Sequence, residues 1–86
     1  MFQEEYSRLI KIDEILQRND LPKLEDFIRE CLDFCSSSLS PSTINRDLKK
    51  LRRDFGRKII YDRKKKCYCY KEEYPYLSAQ DFYLGH

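Results

Sequence analysis

Ser40 and Pro41 are adjacent, and this pair constrains the fold more than any other feature of the sequence. A serine that precedes a helix accepts a hydrogen bond from an otherwise unpaired backbone N–H, and proline at the first helical position gives up a donor that has no partner there. We therefore predict a helix that begins at Pro41 and runs to about Phe55. Gly56 follows it, and glycine is common just beyond a helix C-terminus.

Two further helices are predicted before this one. Apolar residues recur at steps of three and four over residues 2–17, and again over about 23–34, as the buried stripes of amphipathic helices do. Pro22 disfavours helix at the residue before it and marks the break between them. Small polar residues at 35–39 form the connector to the third helix.

Residues 59–62 and 67–70 are β-branched and aromatic runs of about strand length, and they flank a charged turn at 63–66. The turn makes the two runs a hairpin with a basic tip. Three helices followed by a two-stranded hairpin predict a mostly helical α+β fold with the element order of a winged helix-turn-helix. We expect this domain to span residues 1–71. Residues 72–86, with a short capped helix start at 78–82, are interpreted as a linker or stub towards a C-terminal domain.

The basic residues are concentrated in one part of the chain. Residues 36–66 carry 11 basic and 3 acidic side chains, a net charge of +8, whereas the net charge of the whole 86-residue chain is only +2. A concentrated positive field is what a surface that binds a polyanion needs. A chain of this length forms one domain with a thin core, which leaves little room for a deep catalytic pocket.

The third predicted helix has one apolar face and one polar, basic face. At 3.6 residues per turn, the side chains that point inward are Ile44, Leu48, Leu51 and Phe55. The outward face and its flanks carry Ser42, Thr43, Asn45, Arg46, Lys49, Lys50 and Arg53. The major groove of B-DNA admits such a helix, where Asn can pair with adenine, Arg with guanine, and further Lys and Arg with phosphates. The alternative is an exposed, salt-bridged helix face, for which this helix offers only Asp47 and Asp54 as partners.

The hairpin tip is the second candidate contact. Its four basic residues are Arg63, Lys64, Lys65 and Lys66. They suit a wing that lies along the DNA backbone or enters a minor groove. The alternative is that these lysines protect an edge strand against aggregation, and both roles are compatible.

Residues 40–51 resemble the pattern S-x-x-T-I-x-R-D-L-x-x-L, which marks the recognition helix in the N-terminal winged-helix domain of WYL-domain transcriptional regulators. Residues 8–16 are similar to the first helix of that domain and 24–28 to its second. The hairpin at 59–70 resembles the wing, and 78–81 resembles the start of the following linker. The resemblance implies sequence-specific binding of duplex DNA by the reader domain of a transcription regulator.

The sequence departs from the family pattern at two positions. Ser42 stands where the family often has a basic residue, and Lys23 replaces the usual Ser or Thr cap before the second helix. The 86 residues contain no WYL domain, so we expect either an excised N-terminal domain or a protein that kept only the reader. The effector sensing of the family, which resides in the WYL domain, is not carried over. Regulators of this type usually read two half-sites, and the homodimer that this implies would require the missing C-terminal part.

Four cysteines are enough to ligate a metal ion, but their spacing does not favour a metal site. Cys31 and Cys35 share a helix face, Cys67 and Cys69 share a strand face, no C-x₂-C pair occurs, and His86 is the only histidine. We expect no metal and no cofactor. Cys31 is expected in the core, with Cys67 and Cys69 partly exposed and the strand tyrosines facing inward.

Catalytic motifs are missing from the sequence. It contains no G-x-S-x-G, no P-loop and no H-E-x-x-H, so we expect no enzyme activity. It also has neither a signal peptide nor an apolar run long enough to span a membrane. The expected location is the cytoplasm, with no membrane partner.

Two other functions fit the same pattern. A winged helix can serve as a protein-interaction module, with the acidic first two helices docking on a basic partner. It can also bind RNA. The salt dependence of binding and competition with duplex RNA separate these alternatives from DNA binding.

Overall fold

The computed structural model describes residues 2–32, 39–78 and 80–83. Within these residues the chain forms four helices and two strands. The helices are α1 (Phe2–Gln17), α2 (Leu24–Cys31), α3 (Pro41–Asp54) and α4 (Gln80–Tyr83). The strands are β1 (Ile59–Asp62) and β2 (Cys67–Tyr70). The predicted class, α+β and mostly helical, is confirmed.

The helices begin and end where local chemistry favours it. Ser40 Oγ accepts a hydrogen bond from Thr43 N at 3.3 Å, which caps α3 as predicted. Gly56, with φ of +64°, adopts the left-handed backbone that follows the helix. At α2 the cap comes from the third helical position, where Asp26 Oδ2 accepts a hydrogen bond from Lys23 N at 2.8 Å. The predicted extension of α2 to residue 34 and most of the connector fall outside the described residues.

The core lies between α1, α2 and α3. Its fully buried apolar side chains are Leu9, Ile12, Ile15, Leu16, Phe27, Cys31, Ile44, Leu48 and Leu51. The inward face predicted for α3 is therefore confirmed, with Phe55 partly buried against the same cluster. On α1 the buried stripe runs through Leu9, Ile12 and Leu16, and Ile15 beside it is buried as well.

The two predicted strand runs form the hairpin. β1 and β2 pair antiparallel, with Ile59 opposite Tyr70 and Asp62 opposite Cys67. The segment before α2 lies along the other side of β2, where Lys23 bridges to Cys67 and Tyr68 N donates to the Pro22 carbonyl at 2.8 Å.

One expectation about the hairpin is wrong. Cys67 is buried, with 2% of its surface exposed, rather than partly exposed. The reason is that the segment before α2 covers this part of β2. Cys69 is partly buried, and Tyr68 and Tyr70 pack against the core as predicted.

Two ion pairs join α1 to α3. Arg8 donates to both carboxylate oxygens of Asp47, at 2.6 Å and 3.1 Å, and Lys50 Nζ donates to Glu5 Oε2 at 3.2 Å. Asp47 is buried, and burial raises the pKa of its carboxyl above the ordinary value while Arg8 opposes the shift.

Residues beyond the hairpin pack back on the helices. Leu77 is buried, and its N–H donates to Asp13 Oδ2 at 2.8 Å. In α4, the Phe82 ring stacks on Tyr6 at 4.2 Å and contacts Phe55 edge-on at 5.4 Å. The interpretation of 72–86 as a linker does not anticipate this packing. Of the described helices, none is long and apolar enough to span a bilayer.

Candidate nucleic-acid interface

The buried side of α3 determines which of its residues face solvent. Ile44, Leu48 and Leu51 are at most 1% exposed, so the helix cannot rotate about its axis without uncovering them. At 3.6 residues per turn this fixes the positions that point outward.

The outward positions form one polar, basic surface, which we call the α3 face. It consists of Ser42, Asn45, Arg46, Lys49 and Arg53, all of which are exposed. Four of them, Ser42, Asn45, Arg46 and Lys49, line a shallow recess of about 310 Å³. The Arg53 side chain is 75% exposed and approaches Asp54 only at 3.9 Å. The α3 face therefore offers hydroxyl, amide and guanidinium groups next to one another.

Two predicted site residues are not part of this face. Lys50 is half-buried on the side of α3 that contacts α1, where its ammonium group is paired with Glu5. Thr43 is also half-buried, and its hydroxyl lies 3.2 Å from Ser40 Oγ in the helix cap. Both are occupied by contacts within the domain.

The acids of α3 do not neutralise its outer surface as a salt-bridged helix face would require. Asp47 is turned inward, 2% exposed, and its carboxylate is paired with Arg8 of α1. Asp54 remains at the end of the helix beside Arg53. Asp47 therefore contributes little negative charge to the outward surface.

The hairpin tip holds its four basic side chains on an ordered turn. Asp62 Oδ1 accepts hydrogen bonds from Lys64 N at 2.9 Å and from Lys65 N at 3.1 Å. Lys66 has φ of +56°, and its N–H donates to the Asp62 carbonyl at 2.6 Å. Arg63, Lys64, Lys65 and Lys66 are all exposed. We call these four residues the hairpin tip.

The role of Asp62 could have been found in the sequence. An aspartate that begins a turn commonly accepts hydrogen bonds from backbone N–H groups two and three residues later. Asp62 immediately precedes the basic run, so its position already indicates an ordered turn. The strand pattern by itself presents Asp62 only as the last residue of a strand.

Comparison with known proteins adds no assignment. No family model, no curated protein and no solved structure matches the chain.

The described cysteines are dispersed. Cys31 is buried between helices, Cys67 is buried beneath the segment before α2, and Cys69 is half-buried. Among residues 2–32, 39–78 and 80–83 there is no group of three or more potential metal ligands of the types His, Cys, Asp and Glu. Cys35 and His86 lie outside the described residues.

Proposed function

We propose that the chain is a winged helix-turn-helix domain that binds duplex DNA sequence-specifically, as the reader of a transcription regulator and without catalysis. One observation carries the proposal. The α3 face is exposed, polar and basic, while the acid nearest its centre, Asp47, is buried and paired with Arg8. With Asp47 turned inward, the exposed cations of the α3 face remain available to a polyanion.

The dimensions of α3 suit a major groove. An α-helix with its side chains is about 10–12 Å across, which matches the roughly 12 Å width of the major groove of B-DNA, and the 14 residues of α3 extend about 21 Å along its axis. Ser42, Asn45 and Arg46, in the first half of the helix, are the side chains assigned to base edges. Lys49 and Arg53, further along, are assigned to phosphates.

The hairpin tip acts as the wing in this proposal. Its exposed cations rest on a turn that Asp62 orders, so the backbone beneath them loses little freedom when it binds. Phosphates along one strand, or an adjacent minor groove, would accept these side chains.

A protein-interaction role through the acidic helices has less support. On α2, Asp26 is paired with Arg29 at 2.6 Å, and Glu30 is paired with Arg18 at 2.9 Å. Hydrogen bonds lower the pKa of both carboxyls. The main donor to Asp26 is Lys23 N, and the main donor to Glu30 is the Arg18 guanidinium. These acids are already engaged within the domain.

The remaining assignments follow from the proposed role. The partner is duplex DNA, the location is the cytoplasm beside the nucleoid, and neither a cofactor nor a membrane is required. A homodimer that reads two half-sites would suit the same role.

A mobility-shift titration on mixed-sequence duplex DNA tests the proposal. If Lys49, Arg53 and three residues of the tip neutralise five phosphates, log affinity should fall with log salt at a slope of roughly −4.5. Affinity should then drop about 500-fold between 50 and 200 mM salt. Duplex RNA at equal concentration should compete poorly. DNA affinity that does not depend on salt concentration, or DNA binding that duplex RNA abolishes, would contradict the proposal.

A further inference from the structure

A groove of about 410 Å³ separates the start of α3 from the hairpin. Its lining includes Pro41 at the start of α3, Tyr61 and Lys66 of the hairpin, and Lys23 and Leu24 at the beginning of α2. None of these positions except Lys66 belongs to the surfaces described above. The groove therefore adjoins both the first residue of α3 and the hairpin tip.

Tyr61 is an exposed aromatic side chain on a rigid support. Its ring is 4.8 Å from that of Tyr68, and the Tyr68 ring packs edge-on against Phe27 at 5.7 Å. Phe27 is fully buried, whereas Tyr61 is 43% exposed. A tyrosine held in this way loses little conformational entropy on binding and presents a hydroxyl that can donate a hydrogen bond.

Among the described residues that line the groove, the charged side chains are two lysines and one carboxylate. Lys23 and Lys66 are exposed, and Glu25 lines the groove as well, which leaves a net positive charge. The backbones of both lysines are fixed. Lys23 bridges to β2 and its N–H is bonded to Asp26, and the N–H of Lys66 is bonded to the Asp62 carbonyl.

We propose that this groove holds one strand of the DNA backbone, with Lys23, Tyr61 and Lys66 contacting its phosphates. The inference rests on the proposed function. A helix in the major groove and a hairpin tip at the next minor groove are separated by one sugar-phosphate strand. That strand has to cross between α3 and the hairpin, which is where this groove lies.

Two substitutions test the proposal by different readouts. Lys23→Gln removes a charge, so the plot of log affinity against log salt should become shallower by about 0.9. The ratio of wild-type affinity to variant affinity should therefore shrink about 3.5-fold between 50 and 200 mM salt. Tyr61→Phe removes only a neutral donor. It should weaken binding about two- to tenfold with an unchanged salt slope. Lys71→Gln and Tyr76→Phe are the matched controls, since both side chains are exposed and neither lines the groove.

A set of duplexes, each with one neutral methylphosphonate, locates the contact. The target sequence comes from selection with the wild-type protein on a random pool. At one position the methylphosphonate should weaken DNA binding by the wild-type protein. Binding by Lys23→Gln should lose no further affinity when the same position is neutralised. Circular dichroism should show that the variants keep the wild-type helix content.

The outcomes separate this inference from the proposed function. If the wild-type protein binds DNA and both groove variants match their controls, the groove is not a backbone site although DNA binding stands. If the wild-type protein does not bind DNA, the proposed function itself fails. Loss of affinity at every methylphosphonate position alike would also overturn the assignment.

Discussion

The Tyr70 hydroxyl donates a 2.6 Å hydrogen bond to Asp13 Oδ1, and this bond joins the hairpin to the middle of α1. The same carboxylate accepts from Arg57 Nη1 at 2.8 Å and from Leu77 N at 2.8 Å. Asp13 is fully buried, and Arg57 is 6% exposed. One carboxylate therefore connects α1, the segment after α3, β2 and the segment after the hairpin.

Asp13→Ala should destabilise the domain strongly. The substitution leaves the buried Arg57 guanidinium without its counter-ion and removes the acceptor for Leu77 N, at a cost of about 3–5 kcal/mol. Urea unfolding followed by circular dichroism measures the loss. Asp20→Ala, at an exposed position in the turn after α1, should change the free energy of unfolding by less than about 0.5 kcal/mol. Equal stability of the two variants would mean that Asp13 does not hold these elements together.

Tyr70 should make the stability of the fold depend on pH in alkaline solution. Burial, followed by the hydrogen bond and charge of Asp13, raises the pKa of its hydroxyl above the ordinary value of 10.0. The folded state thus keeps the proton that the unfolded state releases. This contribution is complete below pH 10 and is lost as the pH rises, at about 1.4 kcal/mol per pH unit.

Tyr70→Phe isolates that contribution. The variant lacks the titrating hydroxyl, so its free energy of unfolding should decline less steeply than that of the wild type between pH 10 and pH 11. The quantity to compare is the difference in free energy of unfolding between the two proteins at each pH, because every other residue is the same in both. Parallel curves would show that the hydroxyl is not protected in the folded state.

Arg46→Ala should weaken specific DNA binding by roughly 1–3 kcal/mol and leave folding unchanged, because Arg46 is central on the α3 face and exposed. Fluorescence anisotropy on a selected duplex gives the affinity, and thermal unfolding gives the stability. Arg18→Ala is the control, since Arg18 is an exposed arginine at the end of α1 paired with Glu30. If Arg46→Ala binds its selected site as tightly as the control, α3 does not read the bases.

Replacement of Lys64 and Lys65 by Gln should weaken binding to all DNA sequences about equally. It should reduce the salt slope by about one unit for each phosphate that is no longer neutralised, while the order of sequence preference stays the same. The backbone turn should survive, because Asp62 bonds to the N–H groups of these residues rather than to their side chains. Unchanged affinity with increased aggregation would assign the lysines to edge protection instead.

The periodic and capping signals in the sequence were sufficient for the main elements. Ser40 and Pro41 fixed the start of α3, and the spacing of Ile44, Leu48 and Leu51 fixed its buried side. The two strand runs, separated by four charged residues, predicted the hairpin of β1 and β2. Each of these signals is local, so a single sequence contains it.

The buried charges could not be predicted in the same way. Asp13 and Asp47 resemble solvent-facing residues of amphipathic helices, and their partners Arg57 and Arg8 are 44 and 39 positions away. The burial of Cys67 could not be predicted for a related reason, because the segment that covers Cys67 precedes α2 and is distant from it in the sequence. A pattern within one element does not show which distant segment packs against it.

The two ion pairs between α1 and α3 also determine the register of these helices. Glu5 and Arg8 are three residues apart on α1, Asp47 and Lys50 are three apart on α3, and each acid faces the other helix's base. A slip of one helical turn would place Glu5 against Asp47, or Arg8 against Lys50, and like charges would meet. The alternation of charge sign thus disfavours packing arrangements in which α1 and α3 are shifted by one turn. The position of the α3 face along the α1 axis is therefore selected by charges that point towards α1.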